Sequence, residues 1–251
     1  MSMMSRRVAV FFAFNVAAGL LTPKPILAND LVTALRAGGF VILVRHGATV
    51  SDETDRVPFD FDDITAQRNL NDQGKALARS FGDALRKTGV PIGKVYTSKF
   101  NRAYETATLA GFKNIERMDD LTLAYGSNGL VVSPDENNRR AEALRKMLST
   151  PPLPGTNTIL ITHQPNIVDA LGKDWSDVKE GEALVFRPEK GAFTLIARIP
   201  IEAWPQLATA KSENEPILTL SVIEGQYRSS IWLTIGSCTP ALSGSTSCIM
   251  R

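Results

Sequence analysis

The fold of this chain is decided by the stretch Phe40-Val41-Ile42-Leu43-Val44-Arg45-His46-Gly47. Its five consecutive apolar residues, three of them β-branched, are typical of a central parallel strand that is buried on both faces. The run then ends in a cation, an imidazole and a glycine. Ligands of open α/β sheets bind outside the carboxyl ends of the strands, so Arg45 and His46 are expected at the ligand edge, with Gly47 allowing the backbone to turn there.

Two further strand-like segments end in residues of the same kinds. His163, the second of only two histidines, follows the apolar segment 158–162, and the segment 94–98 runs into a helix whose first turn holds Arg102. Each residue alone is more often structural or solvated than functional. Two guanidiniums and two imidazoles at one sheet edge would repel one another when charged, and an anion between them relieves that repulsion. The pattern therefore predicts an oxyanion site.

These residues resemble the signatures of the histidine phosphatase superfamily, which includes phosphoglycerate mutases and acid phosphatases. The matching segments are Arg45-His46-Gly47 with Thr49, the second arginine motif over 98–107, Thr162-His163, and the helix entry 68–74. They follow the superfamily's order, between about residue 40 and about residue 204. The resemblance implies an α/β fold with three layers, α/β/α, and a mostly parallel central sheet with an antiparallel edge. Segments 182–187 and 192–199 are predicted to form that edge as a hairpin.

The resemblance also implies a mechanism. His46 would attack phosphorus and form a phosphohistidine that water hydrolyses, with its other ring nitrogen bonded to a backbone carbonyl near Gly47. Arg45 and Arg102 would bind the phosphoryl oxygens, His163 would donate a further hydrogen bond, and Gly47 and Thr49 are also substrate-binding candidates. Neither a metal nor another cofactor is expected, because the two histidines are not at metal-ligand spacing and the cysteines are remote.

The residue that would protonate the leaving group is not identified by the sequence. Where superfamily members usually carry an acid, this chain has Leu121-Thr122-Leu123-Ala124 and His163-Gln164-Pro165. The remaining candidates are Asp52, Asp55, Asp60, Asp62, Asp63, Asp119 and Asp120. A phosphohistidine or an anhydride has a good leaving group and would not need the acid. Two functions therefore stay open. One is an exported phosphatase acting on a phosphate ester, a phosphohistidine or an anhydride, and the other is a phosphate-ligand binding protein with little or no turnover.

The first 28 residues predict a secretory signal peptide. Arg6-Arg7 precede the apolar stretch 8–21, which is too short to span a bilayer comfortably, and Ala28 suits a cleavage point. An uncleaved anchor and a buried helix are the alternatives. Cleavage implies a periplasmic or secreted protein with no remaining membrane span. It also turns the formal charge of +2 slightly negative, which gives no reason to expect nucleic acid as a partner. The expected partner is a phosphorylated small molecule or phosphoprotein.

The rest of the chain is predicted to hold one histidine phosphatase domain, 29–208, because its length suits a single core. Residues 209–251 are a C-terminal extension in which 217–223 and 229–235 alternate like the strands of a hairpin. Cys238 and Cys248 could pair in an oxidising compartment or remain free thiols.

Overall fold

The computed structural model describes residues 28–56, 60–123, 133–209, 219–225 and 228–234. Cys238, Cys248 and nearly all of the predicted signal peptide lie outside the described residues. So do residues 57–59, which belong to the acidic loop 51–63, and residues 124–132, which begin with the last residue of the segment 121–124.

A mixed sheet forms the centre of the described structure. Its strands are β1 Val41–Arg45, β2 Ile92–Ser98, β3 Ile115–Met118, β4 Asn157–Thr162, β5 Ala183–Glu189, β6 Ala192–Ile199, β7 Thr219–Gly225 and β8 Arg228–Thr234. They lie in the order β3-β2-β4-β1-β5-β6-β8-β7. The first four strands of that order are parallel, and β5 and β6 form the antiparallel hairpin beside β1. Strand β8 pairs with β6 at one position and runs antiparallel to β7.

Helices cover both faces of the sheet. They are α1 Ala28–Ala37, α2 Asp72–Thr88, α3 Asn101–Leu109, α4 Pro134–Leu148, α5 Gln164–Leu171 and α6 Trp204–Thr209. Ile42 and Val44 of β1 belong to the core on the side of α2 and α6, whereas Val41 and Leu43 belong to the core on the side of α4 and α5. Because β1 is buried on both sides, every one of its central positions is apolar. The predicted three-layer α/β fold is confirmed.

The strand register sets the ligand edge. Arg45 at the end of β1 pairs with Thr162 at the end of β4, and Thr97 of β2 pairs with Ile161 of β4. The three strands therefore end side by side, and the residues that follow them emerge together. Among the described residues, no helix combines the length and the apolar composition needed to cross a membrane.

Candidate active site

The two histidine side chains lie together at the carboxyl edge of the sheet. Their ring centroids are 5.0 Å apart, and both side chains are buried. The backbone N–H of His46 donates to the carbonyl of Thr162 at 3.0 Å, so the end of β1 is fixed beside the residue that precedes His163. The structure therefore brings the two predicted imidazoles into one site.

A backbone carbonyl sets the orientation of the His46 ring. Nδ1 of His46 lies 2.8 Å from the carbonyl oxygen of Gly47. A carbonyl oxygen can only accept, so Nδ1 carries the proton and Nε2 carries the lone pair. This is the kind of contact that the resemblance implied, and no described residue hydrogen bonds to Nε2. Nε2 of His46 therefore carries the free lone pair that a nucleophilic imidazole needs.

Gly47 has a different role from the one that the sequence suggested. It has no positive φ, so it is not required for a left-handed turn. A Cβ at Gly47 would lie 3.2 Å from the carbonyl oxygen of Gly74, and a Cβ at Gly74 would lie only 2.1 Å from the carbonyl oxygen of Ala48. The two glycines let the start of α2 approach the strand end closely. The N–H of Gly47 donates to Oγ1 of Thr106 in α3, which holds the segment from the other side.

Arg102 binds a carboxylate of the acidic loop. Its side chain is 1% exposed and its guanidinium lies 4.1 Å from the centre of the Phe100 ring. Nη1 donates to Oδ1 of Asp55 at 2.9 Å and Nη2 donates to Oδ2 at 3.2 Å. The N–H of Arg68 also donates to Oδ1 of Asp55, at 2.8 Å. A bidentate contact of this kind is the one that a guanidinium makes with a phosphoryl group. Asp55 therefore binds the Arg102 guanidinium, the group that was predicted to bind the substrate.

Arg45 and Thr49 are joined by a carboxylate that the sequence did not indicate, that of Glu180. Oγ1 of Thr49 donates to Oε1 of Glu180 at 2.9 Å, and Nη2 of Arg45 lies 3.6 Å from the same oxygen. Nη1 of Arg45 donates to the carbonyl of Val178 at 2.8 Å. No motif surrounds Glu180. The position of Glu180 could have been predicted from the antiparallel pairing of β5 with β1, because this pairing places the residues before β5 at the carboxyl edge of β1.

The other six candidate acids make contacts elsewhere. Asp52, Asp60, Asp62 and Asp63 are exposed in the loop, where Asp60 accepts from the N–H of Asp62 and Asp63 caps a short 3-10 helix. Asp119 pairs with Lys99 at 2.7 Å, and Asp120 pairs with Arg139 at 2.8 Å. Among the described contacts, none of the six bonds to Arg45, Arg102 or either histidine.

Arg68 is a further site residue that was not predicted. Its carbonyl accepts from Nη1 of Arg102 at 3.4 Å and its N–H bonds Asp55, so its backbone lies against the guanidinium. The available signal was its position at the start of the 68–74 segment. That segment is tied to the residues after the first signature by the bridge between Thr49 and Leu70.

Burial and positive charge keep both histidines neutral. Burial is the largest cause that holds the pKa of His46 well below its ordinary value, and the nearby charge of Arg102 is the next. The pKa of His163 is lowered well below its ordinary value by burial, then by Arg102 and then by His46. A neutral imidazole has the free lone pair that nucleophilic attack requires.

Within the described residues, no group of three or more His, Cys, Asp or Glu side chains could hold a metal ion.

The lowered pKa values predict how stability depends on pH. Below the ordinary histidine pKa of about 6.5, the unfolded chain binds protons that the folded chain does not, so the free energy of unfolding falls as the pH falls. We expect the free energy of unfolding to be lower at pH 5.5 than at pH 7.5, with both histidines contributing to the loss. Urea unfolding at the two pH values measures it. His163→Gln should remove the share of this pH dependence that comes from His163. If the free energy of unfolding depended on pH equally in the variant and the wild type, the lowered pKa of His163 would be contradicted.

Residues 41–127 match the model of the histidine phosphatase superfamily, branch 1. No curated protein matches the chain. Similar solved structures include the protein histidine phosphatase SixA complexed with tungstate, at 19% identity and TM-score 0.45, with 64% of this chain and 97% of that chain covered. Another is YhfR of Bacillus stearothermophilus, at 20% identity and TM-score 0.46, with coverage of 62% and 94%. A phosphoserine phosphatase of Entamoeba histolytica matches at 14% identity and TM-score 0.42, with coverage of 65% and 98%.

Proposed function

We propose that the chain belongs to the histidine phosphatase superfamily, whose model matches residues 41–127, and that it hydrolyses phosphorylated substrates through a phosphohistidine at His46. The observation that carries the proposal is the orientation of His46, whose Nδ1–H donates to Gly47 and whose Nε2 is left with its lone pair beside His163. Nε2 attacks phosphorus in line, the P–N bond forms, and the leaving group departs with the electron pair of the bond that breaks. Water then attacks phosphorus and the imidazole leaves.

The surrounding cations stabilise the transferred group. The buried fork of Arg102 matches two phosphoryl oxygens, and Arg45 and Arg68 add positive charge at the same edge. Both histidines stay neutral, so the positive charge at this edge comes from the guanidiniums. Preorganised donors of this kind act most strongly on the charge of the transition state because they are already fixed and desolvated.

The placement of the acids favours substrates with good leaving groups. Both oxygens of Asp55 accept from Arg102, and Oε1 of Glu180 accepts from Thr49, so neither carboxylate is arranged to donate a proton. We therefore propose a phosphohistidine, an anhydride or another activated phosphate as the substrate, since these leave without a general acid.

Hydrolysis of two aryl phosphates tests the proposal. We expect the purified protein to hydrolyse p-nitrophenyl phosphate and to show a much lower kcat with phenyl phosphate. Phenolate is the poorer leaving group and needs a proton from a general acid, which the site does not provide. The proposal includes metal independence, so activity should survive exhaustive chelation. Tight binding of inorganic phosphate or vanadate without any turnover would instead support a phosphate-ligand binding protein.

Asp55 should compete with substrate for Arg102. The substitution Asp55→Asn removes the charge that pairs with the guanidinium and keeps the size of the side chain, so we expect inorganic phosphate to bind about 3- to 10-fold more tightly. Isothermal titration calorimetry measures the change, with Asp62→Asn, an exposed substitution in the same loop, as the matched control. Weaker phosphate binding in Asp55→Asn would show that the carboxylate assists the ligand rather than competes with it.

We also propose that the protein is exported and acts outside the cytoplasm. The support is the basic and apolar pattern of residues 1–28. Amino-terminal sequencing of the protein recovered from a bacterial periplasm or culture medium tests the proposal, with a mature chain starting at Asn29 as the expected result. Recovery of an uncleaved chain in the membrane fraction would support the anchor instead.

A further inference from the structure

Ser98, the last residue of β2, contacts the second histidine of the site. Its side chain is fully buried, and its Oγ lies 2.7 Å from Nε2 of His163. The same oxygen accepts a hydrogen bond from the N–H of Phe100 at 3.1 Å. Nδ1 of His163, the other ring nitrogen, is buried without a hydrogen-bond partner among the described residues.

These contacts determine which nitrogen of His163 carries the proton. A serine hydroxyl has one proton, and burial makes an unsatisfied donor costly. The N–H of Phe100 can only donate, so it cannot receive the Ser98 proton. Within the described structure, Nε2 of His163 is the one acceptor that Ser98 contacts. The hydroxyl therefore donates to Nε2, and because the imidazole is neutral its proton lies on Nδ1.

We propose that Ser98 is a positioning residue that holds His163 in the Nδ1–H tautomer, so that this nitrogen donates to an oxygen of the bound phosphoryl group. The inference rests on the proposed function for its ligand. The opposite tautomer would direct a lone pair at the anion and would leave the Ser98 proton without an acceptor. The Gly47 carbonyl and the Ser98 hydroxyl thus hold both rings in the Nδ1–H tautomer. In His46 this tautomer leaves the lone pair of Nε2 free to attack, and in His163 it leaves Nδ1–H free to donate.

Nitrogen NMR reads this tautomer directly, because the chain contains only two histidines. A multiple-bond proton–nitrogen spectrum of the ligand-free protein labelled with ¹⁵N-histidine separates protonated from bare ring nitrogens, and His163→Gln assigns the signals. We expect both rings to carry Nδ1–H. Ser98→Ala should move the His163 proton to Nε2, and Ser98→Thr, which restores a hydroxyl, should return it to Nδ1. A wild-type spectrum with His163 protonated on Nε2 would overturn the inference, whether or not the variants fold.

Phosphate binding tests the consequence for the ligand. Ser98→Ala should weaken the affinity for inorganic phosphate about 10-fold, because the Nδ1–H donor is lost, whereas Ser98→Thr should retain most of the affinity. Thr97→Val is the matched control, since Thr97 is the neighbouring buried hydroxyl residue and its Oγ1 has no described partner. Equal phosphate affinities in the wild type and Ser98→Ala would overturn the positioning role and leave the phosphatase proposal standing. Failure of the wild type to bind phosphate at all would overturn both.

Discussion

Replacement of His46 by alanine is expected to lower kcat for p-nitrophenyl phosphate by about 10⁴-fold or more, because removal of a nucleophile removes the covalent route. Phosphate binding should survive in this variant, since Arg102, Arg45 and His163 all remain. Steady-state kinetics and calorimetry on the same preparation measure the two effects. A loss of activity without a loss of phosphate affinity is the signature of a missing nucleophile rather than of a collapsed site.

The second histidine supplies the matched control for the first. His163 is equally buried and lies 5.0 Å away, but it is assigned as a donor. His163→Gln should therefore cost about 10²- to 10³-fold in kcat, the usual effect of removing one transition-state donor. If His163→Gln were the more damaging of the two substitutions, the roles of the two rings would have to be exchanged. Turnover by His46→Ala within about 10-fold of the wild type would remove His46 as the nucleophile altogether.

Replacement of Arg102 by alanine is expected to lower kcat/KM by about 10³-fold and to weaken phosphate binding, since the buried fork that matches two oxygens is lost. Arg102→Lys keeps the positive charge but not the fork, so we expect it to recover only part of that loss. Kinetics with p-nitrophenyl phosphate and calorimetry with inorganic phosphate measure both effects.

Arg139→Ala is the control for the loss of an arginine. Its guanidinium also binds a carboxylate through two nitrogens, but the side chain is 52% exposed on α4 and pairs with Glu136 and Asp120. Its removal should leave kcat/KM within about 2-fold of the wild type, because exposed ion pairs contribute little. An Arg102→Ala protein that is as active as Arg139→Ala would place the phosphoryl group somewhere other than the Arg102 fork.

The sequence was sufficient to predict the centre of the fold and the meeting of the two histidines. The uninterrupted apolar run before Arg45 indicates a strand that is buried on both faces, and the run before His163 indicates a second strand of this kind. Parallel neighbours end at one edge, so both rings had to emerge together. Local chemistry also determines where two helices begin: the side chain of Asn71 caps α2, and the side chain of Ser133 caps α4.

The contacts that complete the site could not be predicted in this way. Asp55 binds Arg102 across 47 positions of sequence, and Glu180 reaches Thr49 across 131. Both acids lie outside helices and strands, where no hydrophobic period fixes the position of a side chain. Ser98 was visible as part of a motif, but its bond to His163 depends on the register between β2 and β4. Gly47 was expected to provide a turn, whereas the structure uses it for close packing against Gly74.

The covalent phosphohistidine at His46 can be trapped during turnover. The purified protein, in excess over a ³²P-labelled aryl phosphate, should be quenched in alkali during a single turnover and digested, and the labelled peptide should be identified by mass spectrometry. We expect an acid-labile, alkali-stable phosphate on the peptide that contains His46. Turnover that leaves no label on the protein, or a label carried by any other residue, would contradict it.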